Sequence, residues 1–319
     1  MSSALITGAG GFVGAGLTRR LLGEGVHVTA LVRPGGDLWR LDEVVRDVEL
    51  VEVDLRDEAA LMSAVSSSRP ERVFHLAAHG AYSWQTDAER IVATNLLSTM
   101  ALLEATREAH SVVLAGSSSE YGFKDHPPSE DERPEPNSPY AVAKVGATMW
   151  GQHVARAEDR HVVTLRLYSA YGPWEEPDRL VPQLVVRALR GELPPLVGPD
   201  TARDFVHVDD VCAAFLAAAA ATDSPRGAVY NVGAGRQVTL GELVDVARDV
   251  LGIEVEPEWG SMPGRRWDTS IWVADPRRIE RELGWRATIG LDDGLRTIRD
   301  WLEAGAPAIR ERYQAAGGR

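Results

Sequence analysis

The chain has 319 residues, 44% of them hydrophobic, enough for one large or two closely joined globular domains. Acidic residues outnumber basic ones 47 to 34, a formal net charge of −13 with no dense Lys/Arg run to offset it, so nucleic acid is excluded as a partner. The single cysteine, Cys212, excludes an intramolecular disulfide and suits a cytoplasmic setting; no signal-peptide pattern precedes the first apolar run, and Ala213 to Ala221 is too short to span a bilayer, so no membrane partner is expected.

The first predicted strand, Ala4–Thr7, runs into Gly8-Ala9-Gly10-Gly11-Phe12-Val13-Gly14 and a helix over Phe12–Leu22 with Val13, Leu17 and Leu21 on its apolar face. Gly8 permits a tight turn, Gly11 lets backbone approach a pyrophosphate, and Gly14 lets the helix pack close to the sheet. The helix start adds unpaired N–H groups for the phosphates. At a strand–helix junction this spacing marks a dinucleotide site, held by Gly8, Gly11, Phe12, Val13 and Gly14. The second strand, His27–Val32, ends on Arg33-Pro34-Gly35-Gly36-Asp37. An acidic residue there would take the adenosine ribose and favour NAD, whereas Arg33 suits a 2′-phosphate. NADP(H) is therefore the favoured cofactor, with NAD(H), served by Asp37, as the alternative. The third strand, Val48–Val53, delivers Asp54 and Leu55 to the adenine edge. The fourth, Arg72–Ala77, brings Leu76, Ala77 and Ala78 along the cofactor channel, with His75 read as a packed or hydrogen-bonded strand residue.

A helix over Asp87–Ala109 and a strand over Ser111–Gly116 follow, ending on Ser117-Ser118-Ser119. The next helix, Ser138–Ala155, capped by Ser138 or Asn137, places Tyr140 and Lys144 on one face by their i, i+4 spacing. A phenol near ~10 is a poor base at neutral pH; a neighbouring ammonium and a positive nicotinamide ring would favour phenolate. A hydroxyl from the serine strand end would hold the oxygen that Tyr140 protonates or deprotonates. With a sixth strand at His161–Leu167, the alternation of strands and helices implies an α/β, doubly wound parallel sheet of Rossmann type over residues 1–170. Beyond Tyr171, helices at Leu180–Arg190, Val208–Ala221, Leu240–Leu251, Pro276–Leu283 and Leu291–Glu303 build a smaller C-terminal α/β substrate lobe over 171–305, from which Val229–Val232 is a candidate to return to the sheet. Residues 306–319 read as a fraying tail. Eight scattered histidines give no metal site, and Cys212 reads as a buried structural thiol.

The chain resembles the extended short-chain dehydrogenases/reductases that act on nucleotide sugars. The resemblance runs through the glycine loop, Asp54-Leu55, His75-Leu-Ala-Ala78, Asn95, Ser117-Ser-Ser-Glu-Tyr-Gly122, Tyr140-x-x-x-Lys144, Leu165-Arg-Leu-Tyr-Ser-Ala-Tyr-Gly-Pro173, Arg203-Asp-Phe-Val-His-Val-Asp-Asp210 and Tyr230-Asn-Val-Gly233, nearly end to end. It implies a catalytic triad of Ser117, Tyr140 and Lys144, Ser117 being four residues before Tyr121 of the Tyr-Gly pair. It implies that Asn95 serves the cofactor site, that Ser118 and Ser119 face the substrate, and that Arg203 and Arg265 clamp a diphosphate. Asp268 would bond the nucleotide ribose, and Ser169 stands where the family commonly has Asn.

Dehydratases of this kind carry Asp-Glu where this chain has Ser118 and Ser119, and the corresponding Glu of the decarboxylases is missing too. Glu120 is displaced by one position, to the opposite face of an extended backbone. Dehydration is therefore disfavoured. An NADPH-dependent 4-ketoreductase is favoured through Arg33, with an NAD-dependent nucleotide-sugar 4-epimerase as the alternative. A catalytically inactive dinucleotide sensor is a third class, against which the complete triad speaks. The resemblance also implies a homodimer built on the helices carrying Asn95 and Tyr140.

Overall fold

In the computed structural model, which describes residues 2–82, 84–262, 264 and 271–316, six short apolar segments of the first half pair as parallel strands. They are β1 (Ser3–Thr7), β2 (His27–Val32), β3 (Glu49–Glu52), β4 (Arg72–His75), β5 (Ser111–Ser117) and β6 (Val162–Leu167). Short strands β7 (Ser169–Tyr171), β8 (Ala202–Arg203) and β9 (Phe205–His207) follow, then β10 (Val229–Val232) and β11 (Val238–Thr239). β10 returns to the main sheet beside β6, giving the order β10-β6-β5-β4-β1-β2-β3. The doubly wound Rossmann-type sheet expected from the alternation is what forms. Its order reverses between β1 and β4, so the crevice at their C-terminal ends is the topological switch point where such sheets bind ligands.

Period-2 alternation sends successive strand residues to opposite layers. Leu5, Leu31, Val112 and Leu114 pack with α2 (Glu58–Ser68), with Leu102 and Leu103 of the next helical stretch, and with Val154 of the helix Pro139–Ala157. Ala4, Ile6, Ala30 and Val113 pack on the other face against α1 (Phe12–Gly23) and the helix Val208–Ala220, where Cys212 is buried and its thiol pushed up to about 12. The helical stretch is α3 (Ala88–Val92), a π-turn at Ala93–Leu97 and α4 (Ser98–Ala105); the helix Pro139–Ala157 is α5. α2 was not anticipated: three successive serines, 66–68, blur its apolar period, although Asp57 caps it by accepting from the Ala60 amide at 3.0 Å.

A second core gathers α6 (Leu180–Ala188), α8 (Leu240–Leu251) and α10 (Leu291–Ala304), while α7 (Val208–Ala220) and α9 (Arg277–Leu283) serve the sheet. Within the tail expected to fray, the described residues Pro307–Ala316 instead form α11. Its Tyr313 is 1% exposed, packed edge-on to Trp39 and Trp301. Trp39 also meets Trp174, at 5.6 Å between centroids. Trp174 has φ +72, a conformation that costs a non-glycine residue about 1–3 kcal/mol and persists only when its surroundings over-determine it. Here Arg40 Nε donates to its carbonyl at 2.7 Å and Arg19 lies over its ring at 4.1 Å.

Trp174–Glu176 form a strap held by Arg40 and Tyr313, which leaves Glu175 buried with Oε2 unpartnered among the described residues, and burial pushes its carboxyl up to about 8. A raised carboxyl holds its proton in the native chain after the unfolded chain has lost it, so stability declines as pH rises from the ordinary carboxylate range to about 8. Glu175→Gln is expected to flatten that decline and to exceed the wild type in stability above pH 8, as measured by urea unfolding at a series of pH values.

Candidate active site

β1 ends against β4, and the turn between β1 and α1 is set by how closely their backbones approach. Gly8 has φ +71, and a Cβ there would lie 2.6 Å from the Ala77 nitrogen. A Cβ on Gly14 would collide with the Gly8 carbonyl, so α1 starts directly against the turn. Gly11 is exposed at the helix N-cap, no side chain caps the first turn, and no acid stands in it. The uncapped amides of Phe12 and Val13, with a helix dipole behind them and no Cβ at Gly11, suit the pyrophosphate of a dinucleotide.

A buried relay orders the opposite wall. Thr99 Oγ1 donates to the Asn95 carbonyl at 2.8 Å, so it accepts from His75 Nε2 at 2.9 Å. His75 Nδ1 is then the acceptor for Thr7 Oγ1 at 2.7 Å, which in turn receives the Ala77 amide at 3.3 Å. His75 is therefore held neutral, and burial, with Lys144 nearby, pushes it down to about 3. Asn95 lies in the π-turn, 1% exposed; its Nδ2 donates to the His79 and Ile91 carbonyls and its Oδ1 accepts the His79 amide. It shapes the Leu76–His79 segment. π-Turns inside helices recur at functional sites for this kind of reason.

At the adenosine end, Arg33 starts an exposed turn closed by the Gly36 amide on its carbonyl, with Gly35 at φ +65. Asp37 does not curl back into the sheet crevice: it pairs with Arg312 of α11 at 2.8 Å. Asp54 is bonded by Arg56, which pulls its carboxyl down to about 2, and Leu55 beside it is half-buried.

The reaction end is built on the last residues of β5. α5 starts at Pro139 with Ser138 as cap, accepting from the Ala141 amide at 3.2 Å. Lys144, 4% exposed, donates Nζ to the Ala115 carbonyl at 2.8 Å and lies 5.8 Å from the Tyr140 ring centroid. Ser117 Oγ is 2.7 Å from Ser119 Oγ. So Ser117, Tyr140 and Lys144 converge as anticipated. Their electrostatics differ from expectation. Burial pushes the Tyr140 phenol up to about 12, against the hydrogen bond from Ser117, and pushes the Lys144 ammonium down to about 8. At both groups desolvation outweighs the neighbour that opposes it, Ser117 at the phenol and Glu120 at the ammonium.

Sequence reasoning misplaced one residue here. Ser118–Tyr121 form a 3₁₀ turn rather than extended backbone, and Glu120 folds inward, fully buried. Its Oε1 accepts the Ser117 amide at 2.9 Å and its Oε2 accepts Arg166 Nε at 2.9 Å. The signal was present: Ser117-x-x-Glu120 is a capping-box pattern.

On the substrate side, Ser118 lines a small cavity with Tyr121, Tyr168 and Trp272. Ser169 is half-buried, its amide bonded to the Asp204 carbonyl at 3.0 Å. Arg203 lies 5.9 Å from the Trp272 ring. Asp204, fully buried, accepts the amides of Ala234, Gly235 and Ala274, and so ties the strand carrying Arg203 to the segment carrying Trp272. Arg265 and Asp268 lie outside the described residues.

Residues 4–233 match the NAD-dependent epimerase/dehydratase family. The chain belongs to that family. It is 32% identical to the dTDP-glucose 4,6-dehydratase of Streptomyces griseus, covering 95% of this chain and 97% of the relative. It is 31% identical to the UDP-glucose 4-epimerase of Mycolicibacterium smegmatis, covering 91% and 95%. The structure of MoeE5 in complex with UDP-glucose and NAD superposes with a TM-score of 0.81 at 32% identity, over 95% of this chain and 99% of that one. The chain is thus of the extended short-chain dehydrogenase/reductase type, its relatives include nucleotide-sugar epimerases and dehydratases, and the MoeE5 neighbour holds NAD with UDP-glucose. The expected NADPH-dependent ketoreductase finds no support among these relatives, and the epimerase alternative fits them better. No helix among the described residues is long and apolar enough to cross a membrane.

The relay around His75 has a direct spectroscopic consequence. Its ring should remain neutral, protonated on Nε2 alone, down to pH 4, as read from ¹⁵N chemical shifts. A His75 titration near the ordinary value of about 6.5 would contradict the hydrogen-bond assignment.

Proposed function

We propose that this protein is an NAD-dependent nucleotide-sugar 4-epimerase. The observation that carries the reading is the convergence of Ser117, Tyr140 and Lys144 at the end of β5, with both oxygens of the neighbouring carboxylate, Glu120, taken up by the Ser117 amide and Arg166. Elimination needs a base at C5 beside the hydroxyl that handles C4. Ser118 and Ser119 offer none, and both oxygens of Glu120 are engaged. That argument supports epimerisation over dehydration, although several relatives, the one from Streptomyces griseus among them, are dehydratases.

The glycine loop, Leu76–Ala78 and the half-buried Leu55 hold the dinucleotide, with Asn95 shaping their wall. A bound NAD would supply a reversible hydride acceptor for C4 of the sugar. Tyr140 removes the proton of the C4 hydroxyl and later restores it, Ser117 orients that oxygen, and the Lys144 ammonium favours the phenolate. Arg203 and Arg265 hold the diphosphate, since a guanidinium fork suits phosphate oxygens, and Asp268 bonds the nucleotide ribose. Ser118, Ser119 and Ser169 border the sugar. The exposed Leu97, Val142 and Met149 on neighbouring helices support a homodimer through that face.

Incubation with UDP- and dTDP-hexoses is expected to give the C4 epimer, with NAD retained and no NADPH consumed. Formation of a 4-keto-6-deoxy product, or NADPH oxidation by a nucleotide 4-keto sugar, would overturn this reading. Tyr140→Phe should lower kcat by about 10²–10⁴-fold with little change in KM.

A further inference from the structure

We propose that Glu120 is a positioning residue of the hydride-transfer site, pinning the Ser117 backbone to Arg166 and standing as the buried counter-charge of Lys144. The inference rests on the reading of Ser117, Tyr140 and Lys144 as the reacting groups.

Glu120 is 0% exposed and Arg166 4% exposed. One oxygen of the carboxylate takes the Ser117 amide, the other takes Arg166 Nε, both at 2.9 Å. Gly116 makes room for it: a Cβ there would lie 2.8 Å from Glu120 Oε1. The ammonium of Lys144 is bonded to the carbonyl of Ala115, one residue further back on the same strand. The two charges therefore flank one short stretch of β5.

The charged and titratable groups around the ammonium come from every packed element: neutral His75 from β4, Tyr140 from its own helix, Arg166 from β6 and Glu120 from the turn after β5. Glu120 alone among them supplies negative charge. It raises both Lys144 and Tyr140, opposing burial at the first and adding to it at the second. Stability by itself does not account for the arrangement, because a buried ion pair often does no better than apolar residues of the same volume. Its placement instead sets the field at the reacting groups and holds Ser117 in its extended cap conformation at φ −149.

The sign of the effect follows. Removing the negative charge makes Lys144 lose its proton at lower pH and Tyr140 ionise at lower pH. The chain has only two lysines, Lys124 and Lys144, so ¹³C labelling at lysine Cε gives two signals to assign. In the cofactor-free protein, Lys144 should titrate near 8, and about one pH unit lower in Glu120→Gln, with Lys124 unmoved. The pH profile of kcat/KM should shift to lower pH in step. Glu120→Asp, which keeps the charge, should restore the Lys144 titration even where turnover remains reduced. Should Glu120→Gln fail to fold because Arg166 is left unpaired, the double variant Glu120→Gln/Arg166→Met should shift Lys144 in the same direction by less, because the Arg166 cation is lost with the carboxylate. An unshifted Lys144 signal in either folded variant would overturn the proposal. A shifted signal in a protein without turnover would instead sink the epimerase reading and leave the counter-charge standing.

Discussion

Two backbones meet where β1 and β4 end, and the rest of the site is arranged around that approach. With the Ala77 nitrogen 2.6 Å from where a Cβ on Gly8 would stand, no side chain fits between the strands' first turns. The closeness brings the N-terminus of α1 to the crevice. It also presses Leu76–Ala78 against the glycine loop, where Thr7, His75, Thr99 and Asn95 hold them by hydrogen bonds. A phosphate site made from backbone amides needs such rigidity, because main-chain donors cannot adjust by rotating a side chain.

The reaction end solves a different problem. A phenol, an ammonium, a carboxylate and a guanidinium are packed around the end of one strand in a desolvated region. Burial alone drives Tyr140 and Lys144 toward their neutral forms. The neighbours decide how far: Ser117 favours the phenolate of Tyr140, and Glu120 favours the ammonium of Lys144. The family's shared chemistry of hydride removal and return is compatible with several outcomes. What distinguishes one member is which of these groups is free to touch the sugar.

Much of this was legible from residue spacing. The apolar runs of β1 to β6 alternate with helical periods, and Gly8, Gly11 and Gly14 sit at a strand–helix junction, where local patterns carry tertiary meaning. What was not legible depended on partners far away in sequence. The π-turn around Asn95 exists because its side chain bonds the His79 loop, and nothing in Ala-Thr-Asn-Leu-Leu announces that. Arg33 suggested a 2′-phosphate because it stands where an acidic residue would take the ribose; the relatives favour NAD instead, and Asp37, the acid offered for that ribose, is paired with Arg312. Glu120 was misread by assuming an extended backbone where a capping box bends it. Tyr313 was passed over because a short polar segment shows its one apolar anchor only when Trp39 and Trp301 are placed beside it.

The attachment of α11 has a consequence for how the molecule is made. Asp37 and Arg312 are 275 residues apart in the chain, and Tyr313 covers a strap whose other anchor, Arg40, belongs to the same early segment as Asp37. During vectorial synthesis the glycine loop and the first strands leave the ribosome well before α11 and can pair. The rim beside the adenosine end must wait for a helix 275 residues further along the chain. Until then Trp39 and Trp174 have no cover from that side. Docking of that helix closes an aromatic surface beside the nucleotide fold, and apolar surface left open until late is what makes partly folded chains prone to aggregation.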